Sequence, residues 1–309
     1  MTKWGKTVYE FKRDWQLHLM MLVPVIWLAI FKYWPMYGVQ IAFRNYKTKL
    51  GITGSEWVGW RWFEKFLTSP KFFGILKNTL IISFYSLIIH FILAVALALL
   101  INAIRNEKFK KFTQTIVYIP HFISIVILVA MMNQIFNPIS GLYGTLYRVL
   151  GNEGYPTDFR ALASSFRHMY VWSGVWQNIG WETIIYVAAL AGVSKDLHEA
   201  ARIDGATRWK RVLNVDFPTL LPTACIMLIM KFGHVMTVGY EKVYLMQSQL
   251  NLNTSEVIST YVYKMATGGG GDFSYGAAIG LFNAVINCLM LLFVNWLTKR
   301  LSGGENSLF

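Results

Sequence analysis

Apolar residues gather along this chain into six long runs, and polar residues are largely confined to the segments between them. The runs extend from about His18 to Ile41, from Ile75 to Ile104, from just past Lys111 to Phe136, from Met169 to Val193, from Thr219 to Tyr240 and from Tyr275 to Leu297. Each approaches the roughly 20 residues that an α-helix needs to cross the hydrocarbon core of a bilayer. The pattern predicts an all-α, polytopic membrane protein with six transmembrane helices. A tail over 1–17 and a tail over 301–309 flank a membrane domain over 18–300, and no internal repeat of solenoid length is present.

Composition supports that class. A hydrophobic content of 55% and a mean hydropathy of +0.40 exceed what a soluble domain of this length carries. The net charge of +13 would suit a nucleic-acid partner, but Lys and Arg occur in short groups between apolar runs, as loops that set membrane topology require. Nucleic acid is therefore not an expected partner, whereas lipid is. Lys3, Lys6, Lys12 and Arg13, then Arg105, Lys108, Lys110 and Lys111, then Lys195, Arg202, Arg208, Lys210 and Arg211, and finally Lys299 and Arg300 fall on one side if the runs alternate. Arg44, Lys47, Lys49, Arg61, Lys65, Lys71 and Lys77 fall on the other, in longer loops where the rule has less force. Both termini are thus expected in the cytoplasm. The external basic residues, Arg44 to Lys65, would then face an acidic protein or an anionic saccharide. The first run is long and lacks a small-residue cleavage site, so it reads as a retained span.

The most unusual stretch lies between the fourth and fifth runs, at about 194–222. It is dense in charge, and Glu199, Ala200 and Ala201 favour a helix that Gly205 can close in a left-handed backbone. Pro218 and Pro222 bracket the start of the next run, where a first helical turn tolerates proline. The expectation is two short helices with a bend at Gly205. Glu199-Ala200-Ala201, three residues, Gly205, nine residues, then Val215 and Pro218 resembles the EAA loop of bacterial ABC importer permeases. The Ile and Leu usual there stand here as Val215 and Phe217. The likeness extends through Pro35-Met36-Tyr37-Gly38, Lys77-Asn78-Thr79-Leu80, Tyr118-Ile119-Pro120-His121, Val238-Gly239-Tyr240-Glu241-Lys242, Thr254-Ser255-Glu256 and the tail Glu305-Asn306-Ser307-Leu308-Phe309. These resemble the maltose-permease-like branch that imports polysaccharide fragments and complex oligosaccharides.

The resemblance implies a permease subunit in the bacterial cytoplasmic membrane that is not itself an enzyme. It implies a second homologous permease, two ATPase subunits that hold the ATP and Mg, and an extracellular solute-binding protein. Glu199, Ala200, Ala201, Asp204, Gly205, Pro218 and Pro222 would dock the ATPase and carry its movement into the membrane. The chain's own motifs agree in one respect. Gly5-Lys6-Thr7 and Gly268 to Gly271 lack the spacing of a phosphate-binding loop, the latter reading as a flexible external turn. Cys225 and Cys288 lie inside apolar runs, so no metal or disulfide is expected, and this chain should bind no cofactor of its own.

Polar groups inside the runs mark a pathway or a helix contact. Trp176, Asn178, Trp181 and Glu182 in the fourth run offer aromatic faces and polar partners to a sugar. Glu182 departs from the small or neutral residue expected at its position in the family. Lys231, His234 and Glu241 share one face if the fifth run is a single helix, with Tyr240 beside them. In the sixth run Gly276, Gly280, Asn283 and Asn287 form a stripe that suits either a close helix contact or sugar hydroxyls. Lys231 has two possible partners, Glu182 or a carboxylate on the cargo. The alternative to a transport subunit is a polytopic glycosyl- or lipid-transferase, which would also use intramembrane Trp, His and Glu.

Overall fold

The structure, a computed structural model, describes residues 13–268 and 271–301. The remainder of the N-terminal tail, two residues of the predicted glycine turn, and the tail with Glu305 to Phe309 lie outside the described residues. The chain is largely helical. It opens with α1 (Trp15–Leu28), which continues through a π turn (Ala29–Tyr33) into a 3-10 stretch (Trp34–Phe43) where Pro35 withholds an N–H. A small hairpin follows, β1 (Arg44–Lys47) antiparallel to β2 (Ser55–Trp57), with α2 (Arg61–Leu67) behind it. Then come α3 (Phe72–Asn102), α4 (Glu107–Tyr118), α5 (Ile125–Ile135), α6 (Leu142–Val149) and α7 (Ala163–Ala191). The charged segment forms α8 (Lys195–Ile203), and a helical lead-in over 208–216 runs into α9 (Phe217–Phe232). The chain ends with α10 (Tyr240–Met246), α11 (Ile258–Thr267) and α12 (Phe273–Leu301).

Among the described residues, four helical stretches are long and apolar enough to cross a membrane: Trp15–Phe43, Phe72–Asn102, Arg208–Phe232 and Phe273–Arg300. Glu107–Phe122 with Ile125–Ile135 makes a fifth when taken as one span. Helix α7 has the length, 29 residues, but is diluted by Arg167, His168, Asn178, Glu182 and three tryptophans. Two straight runs of the sequence reading are broken in the structure. The third turns through 96° between Phe122 and Ile125. Pro120 tightens the preceding turn, and Ser124, in an extended conformation, caps α5 by accepting from the Ile127 N–H. The fifth stops at Gly233 and does not reach Tyr240, so Lys231, His234 and Glu241 do not share a continuous helix face.

The described chain falls into two compact units: residues up to Leu67 with Met265–Leu281, and Thr68–Lys264 with residues from Phe282 on. In the first, aromatic rings do most of the packing. Phe43 stacks on Trp57 at 5.5 Å and meets Trp60 and Phe63, while the Trp62 indole N–H donates to the Arg44 carbonyl. Lys65 lies over the Trp62 and Tyr275 rings and pairs with Asp272 at 3.3 Å. The Tyr46 N–H donates to the Ser274 hydroxyl, which ties the hairpin to the start of α12.

The second unit is built on α3 against α7. Ala94 and Ala98 let the helices approach, Tyr186 and Leu190 fill the seam, and Leu220 and Ala224 of α9 close it. A second cluster joins Ile82, Phe166, Val238, Val243 and Val257. Gly180 of α7 lies against the backbone of Val117 and the ring of Tyr118, with no room for a side chain. Gly180→Leu should therefore force α4 off α7, at a cost of about 1–3 kcal/mol or more. The thermal unfolding midpoint in detergent should fall, and an unchanged midpoint would show that the contact is not tight.

Candidate functional site

The second unit carries an open cavity of about 310 Å³, at the lower end of the range for ligand clefts. Helical periodicity builds its walls. Ser83, Ser86, Leu87 and His90 recur on one face of α3, and Tyr170, Gly174, Asn178 and Glu182 recur every four residues on α7. The third wall is the end of α9 with the non-helical segment beyond it, carrying Lys231, His234 and Thr237, followed by Lys242 on α10. The break after Phe232 exposes backbone N–H groups, and Asn287 of α12 answers it. Its amide oxygen accepts from the Met236 N–H at 2.8 Å and its NH₂ donates to the Thr237 hydroxyl at 3.0 Å.

Charge in the cavity is organised around Glu182. Lys231 Nζ donates to Glu182 Oε2 at 2.8 Å, so the partner of Lys231 in this structure is the carboxylate on α7. His90 Nδ1 lies 3.1 Å from Oε1; a carboxylate only accepts, so Nδ1 carries the hydrogen. One carboxylate thus joins α3, α7 and α9. Asn178 is equally engaged. Its oxygen accepts from His121 Nδ1 at 2.9 Å and its NH₂ donates to the Gly174 carbonyl. The His121 ring stacks flat on Trp181 at 4.4 Å, and Gln177 donates to the Ile123 carbonyl, so the bend in the third run is held to α7 by side chains.

Of the residues expected to line a substrate path, Asn178, Glu182, Lys231 and His234 line this cavity. Trp176, Trp181, Tyr240, Glu241, Asn283 and Asn287 do not. Trp176 is exposed, Trp181 covers His121, and Tyr240 packs on Tyr263 at 4.8 Å. His90, Gln177 and Lys242 line it without having been singled out from sequence. For His90 the signal was present, a lone imidazole deep in an apolar run. Lys242 stood in a motif whose neighbours Tyr240 and Glu241 drew attention instead.

The charged segment forms a second surface. Ser194 caps α8 by accepting from the Asp196 N–H. At the other end Gly205 takes φ +73°, while the Gly205 and Ala206 N–H groups donate to the Arg202 and Ala201 carbonyls. Glu199, Ala200, Asp204, Pro218 and Pro222 are exposed, and Ala201 is partly so. Apolar side chains stand open among these charges: Leu197, Ile203, Trp209 and Leu213, with Ile203 87% exposed. The helix is anchored from beneath. Asp216, buried, accepts from the Asn102 amide at 3.2 Å and faces His198 Nε2 of α8 at 3.3 Å. The ends of α3, α8 and the lead-in to α9 therefore meet at one carboxylate.

The pairing of Lys231 with Glu182 makes a specific demand on substitutions. Lys231→Met leaves the Glu182 carboxylate with His90 alone and should lower the amount and melting temperature of the inserted protein. Both ends keep nearly a quarter of their side-chain surface open, so the loss should stay below the about 3–5 kcal/mol seen for broken buried pairs. Adding Glu182→Gln should restore most of it. Equal melting temperatures for the single and double variants would show that the pair contributes nothing to stability.

Comparison with known proteins places these features. Residues 90–303 match the family described as "Binding-protein-dependent transport system inner membrane component". Similar chains include the polygalacturonan/rhamnogalacturonan transport system permease protein YteP of Bacillus subtilis, 39% identical over 95% of this chain and 90% of that protein. Protein LplB of Bacillus subtilis is 37% identical over 94% of this chain and 90% of its own length. A chain of the bacterial alginate ABC transporter, crystallised with an alginate pentasaccharide-bound periplasmic protein, is 34% identical and superimposes with a TM-score of 0.85. That match covers 95% of this chain and 97% of that one. Such chains are permease subunits and not enzymes, and nothing among them supports a transferase. The chain belongs to the binding-protein-dependent transport system inner membrane components, as a permease subunit.

Proposed function

We propose that this subunit spans the membrane six times with both termini in the cytoplasm, and pairs with a second permease to pass uronate-containing oligosaccharides through the cavity beside Glu182. Of two partner ATPase subunits, which bind the ATP and Mg, one docks on α8. An extracellular solute-binding protein delivers the cargo at the opposite side. The observation that carries the reading is α8 itself, an exposed helix that presents Leu197 and Ile203 at the surface while His198 holds it to Asp216. A push on α8 would reach α3 and α9 through that carboxylate, and from there the helices that grip Glu182. Two arrangements of the bundle, inward- and outward-facing, are biased only by the ATPase's different affinity for them.

Orientation rests on the same carboxylate. The Asn102–Asp216 contact gathers Arg105, Lys108, Lys110 and Lys111 at the end of the unit that also carries Arg202, Arg208, Lys210 and Arg211. That density of basic residues favours the cytoplasm. The acidic cargo is supported by two relatives, one named for polygalacturonan and rhamnogalacturonan and one for alginate.

Pull-down of the tagged chain in detergent tests the assembly, which should retain an ATPase and a second permease; recovery of the chain alone would reject it. Coupling is tested by Gly205→Val, which places a β-branched residue in a left-handed backbone at a cost of about 1–2 kcal/mol, and by His198→Ala. Both should insert normally, while stimulation of the ATPase by loaded binding protein falls roughly fivefold or more, the scale of one lost charge-assisted contact. Full stimulation in both would remove α8 from the coupling path.

A further inference from the structure

The cavity's charges do not cancel. Its lining holds one carboxylate, Glu182, against two ammonium groups, Lys231 and Lys242. Lys231 is matched by Glu182. Lys242, 6% exposed, has no carboxylate partner among the described residues. Its Nζ donates to the Tyr170 carbonyl at 2.9 Å and stands 4.7 Å from the centre of the Tyr170 ring. An ammonium has three hydrogens, and one carbonyl and one ring face do not neutralise its charge. Space is kept open beside it: a Cβ on Gly174 would stand 3.3 Å from Nζ and 3.2 Å from His90 Nε2. The other titratable groups of the lining cannot serve as its counter-ion. Glu182 already faces Lys231 and His90, and the rest are His234 and the Tyr170 phenol.

Burying an unmatched cation costs several kcal/mol, so its presence at a cavity wall asks for an anion that comes and goes. We propose that Lys242 is the specificity-determining cation of the pathway, receiving the carboxylate of a uronate unit on the passing saccharide. The proposal rests on the reading that this cavity lies on the cargo's route. It gives to two residues the roles that stood as alternatives for Lys231 alone. Lys231 holds α9 to α7 through Glu182, and Lys242 reads the sign of the cargo. A neutral sugar would leave Nζ without its counter-charge, whereas a uronate would give it a charge-assisted hydrogen bond.

The test uses the complete importer in proteoliposomes, with trigalacturonate and its uncharged methyl ester as probes, and the uptake ratio taken within each preparation so that yield cancels. Wild type should favour the acid. In Lys242→Met the ratio should fall roughly tenfold or more, the worth of one hydrogen bond to a charged group. Lys242→Arg, which keeps the charge, should hold the ratio near the wild-type value. Lys242→Gln gives a second neutral variant if Lys242→Met fails to insert. A wild-type ratio in the neutral variants overturns the role of Lys242 while leaving the cargo route intact, as does a wild type that carries both probes equally. A wild type that carries neither rejects the cargo class, and this assignment with it.

Discussion

A carboxylate packed between helices needs donors around it, and in this subunit the position of Glu182 fixes much else. Lys231 of α9 and His90 of α3 both donate to it. An isolated charge in the hydrocarbon would cost about 2.5–3.5 kcal/mol on insertion scales, more without relaxation. The three-way contact offsets that cost and leaves a polar wall where apolar packing would otherwise have closed the space. Below it, Ala94, Ala98, Tyr186 and Leu190 form an apolar seam. The cavity exists where the seam gives way to paired charge.

A second constraint follows from the backbone. Helices that break inside an apolar environment must find partners for the N–H and C=O groups they release. Both breaks here have answers drawn from distant sequence. Asn287 serves the segment after Phe232, and Gln177 and Asn178 hold the turn around His121 and Ile123. The breaks are what allow His234, Thr237 and Lys242 to turn toward the same space as α3 and α7. A straight fifth helix would have spread them along its length.

At the other end of the unit Asp216 repeats the logic on a smaller scale. One buried oxygen faces Asn102 and His198, so the end of α3, the exposed helix α8 and the lead-in to α9 share a single fixed point. The two carboxylates, Glu182 and Asp216, both lie on connections among α3, α7, α8 and α9. On the proposed reading, that shared framework is the route by which movement at α8 reaches the cargo.

Much of this was legible in the residues alone. Apolar run length gave the helical membrane class, because a bilayer imposes one length on every crossing. The left-handed turn at Gly205 that closes the charged helix followed from local backbone chemistry, which needs no distant partner. The pairing of Lys231 with Glu182 was one of two options that charge and adjacency allowed. Tertiary structure alone decided what depends on contacts far apart in the chain. The 96° bend and the stop at Gly233 are tolerated only because Asn178, Gln177 and Asn287 arrive from other helices. The hairpin at Arg44–Lys47 needs Ser274 from near the other end of the chain. The distinction between Glu241, which is not part of the cavity wall, and Lys242, which lines it, turns on the orientation of one short helix that no periodicity in the motif Val238-Gly239-Tyr240-Glu241-Lys242 could specify.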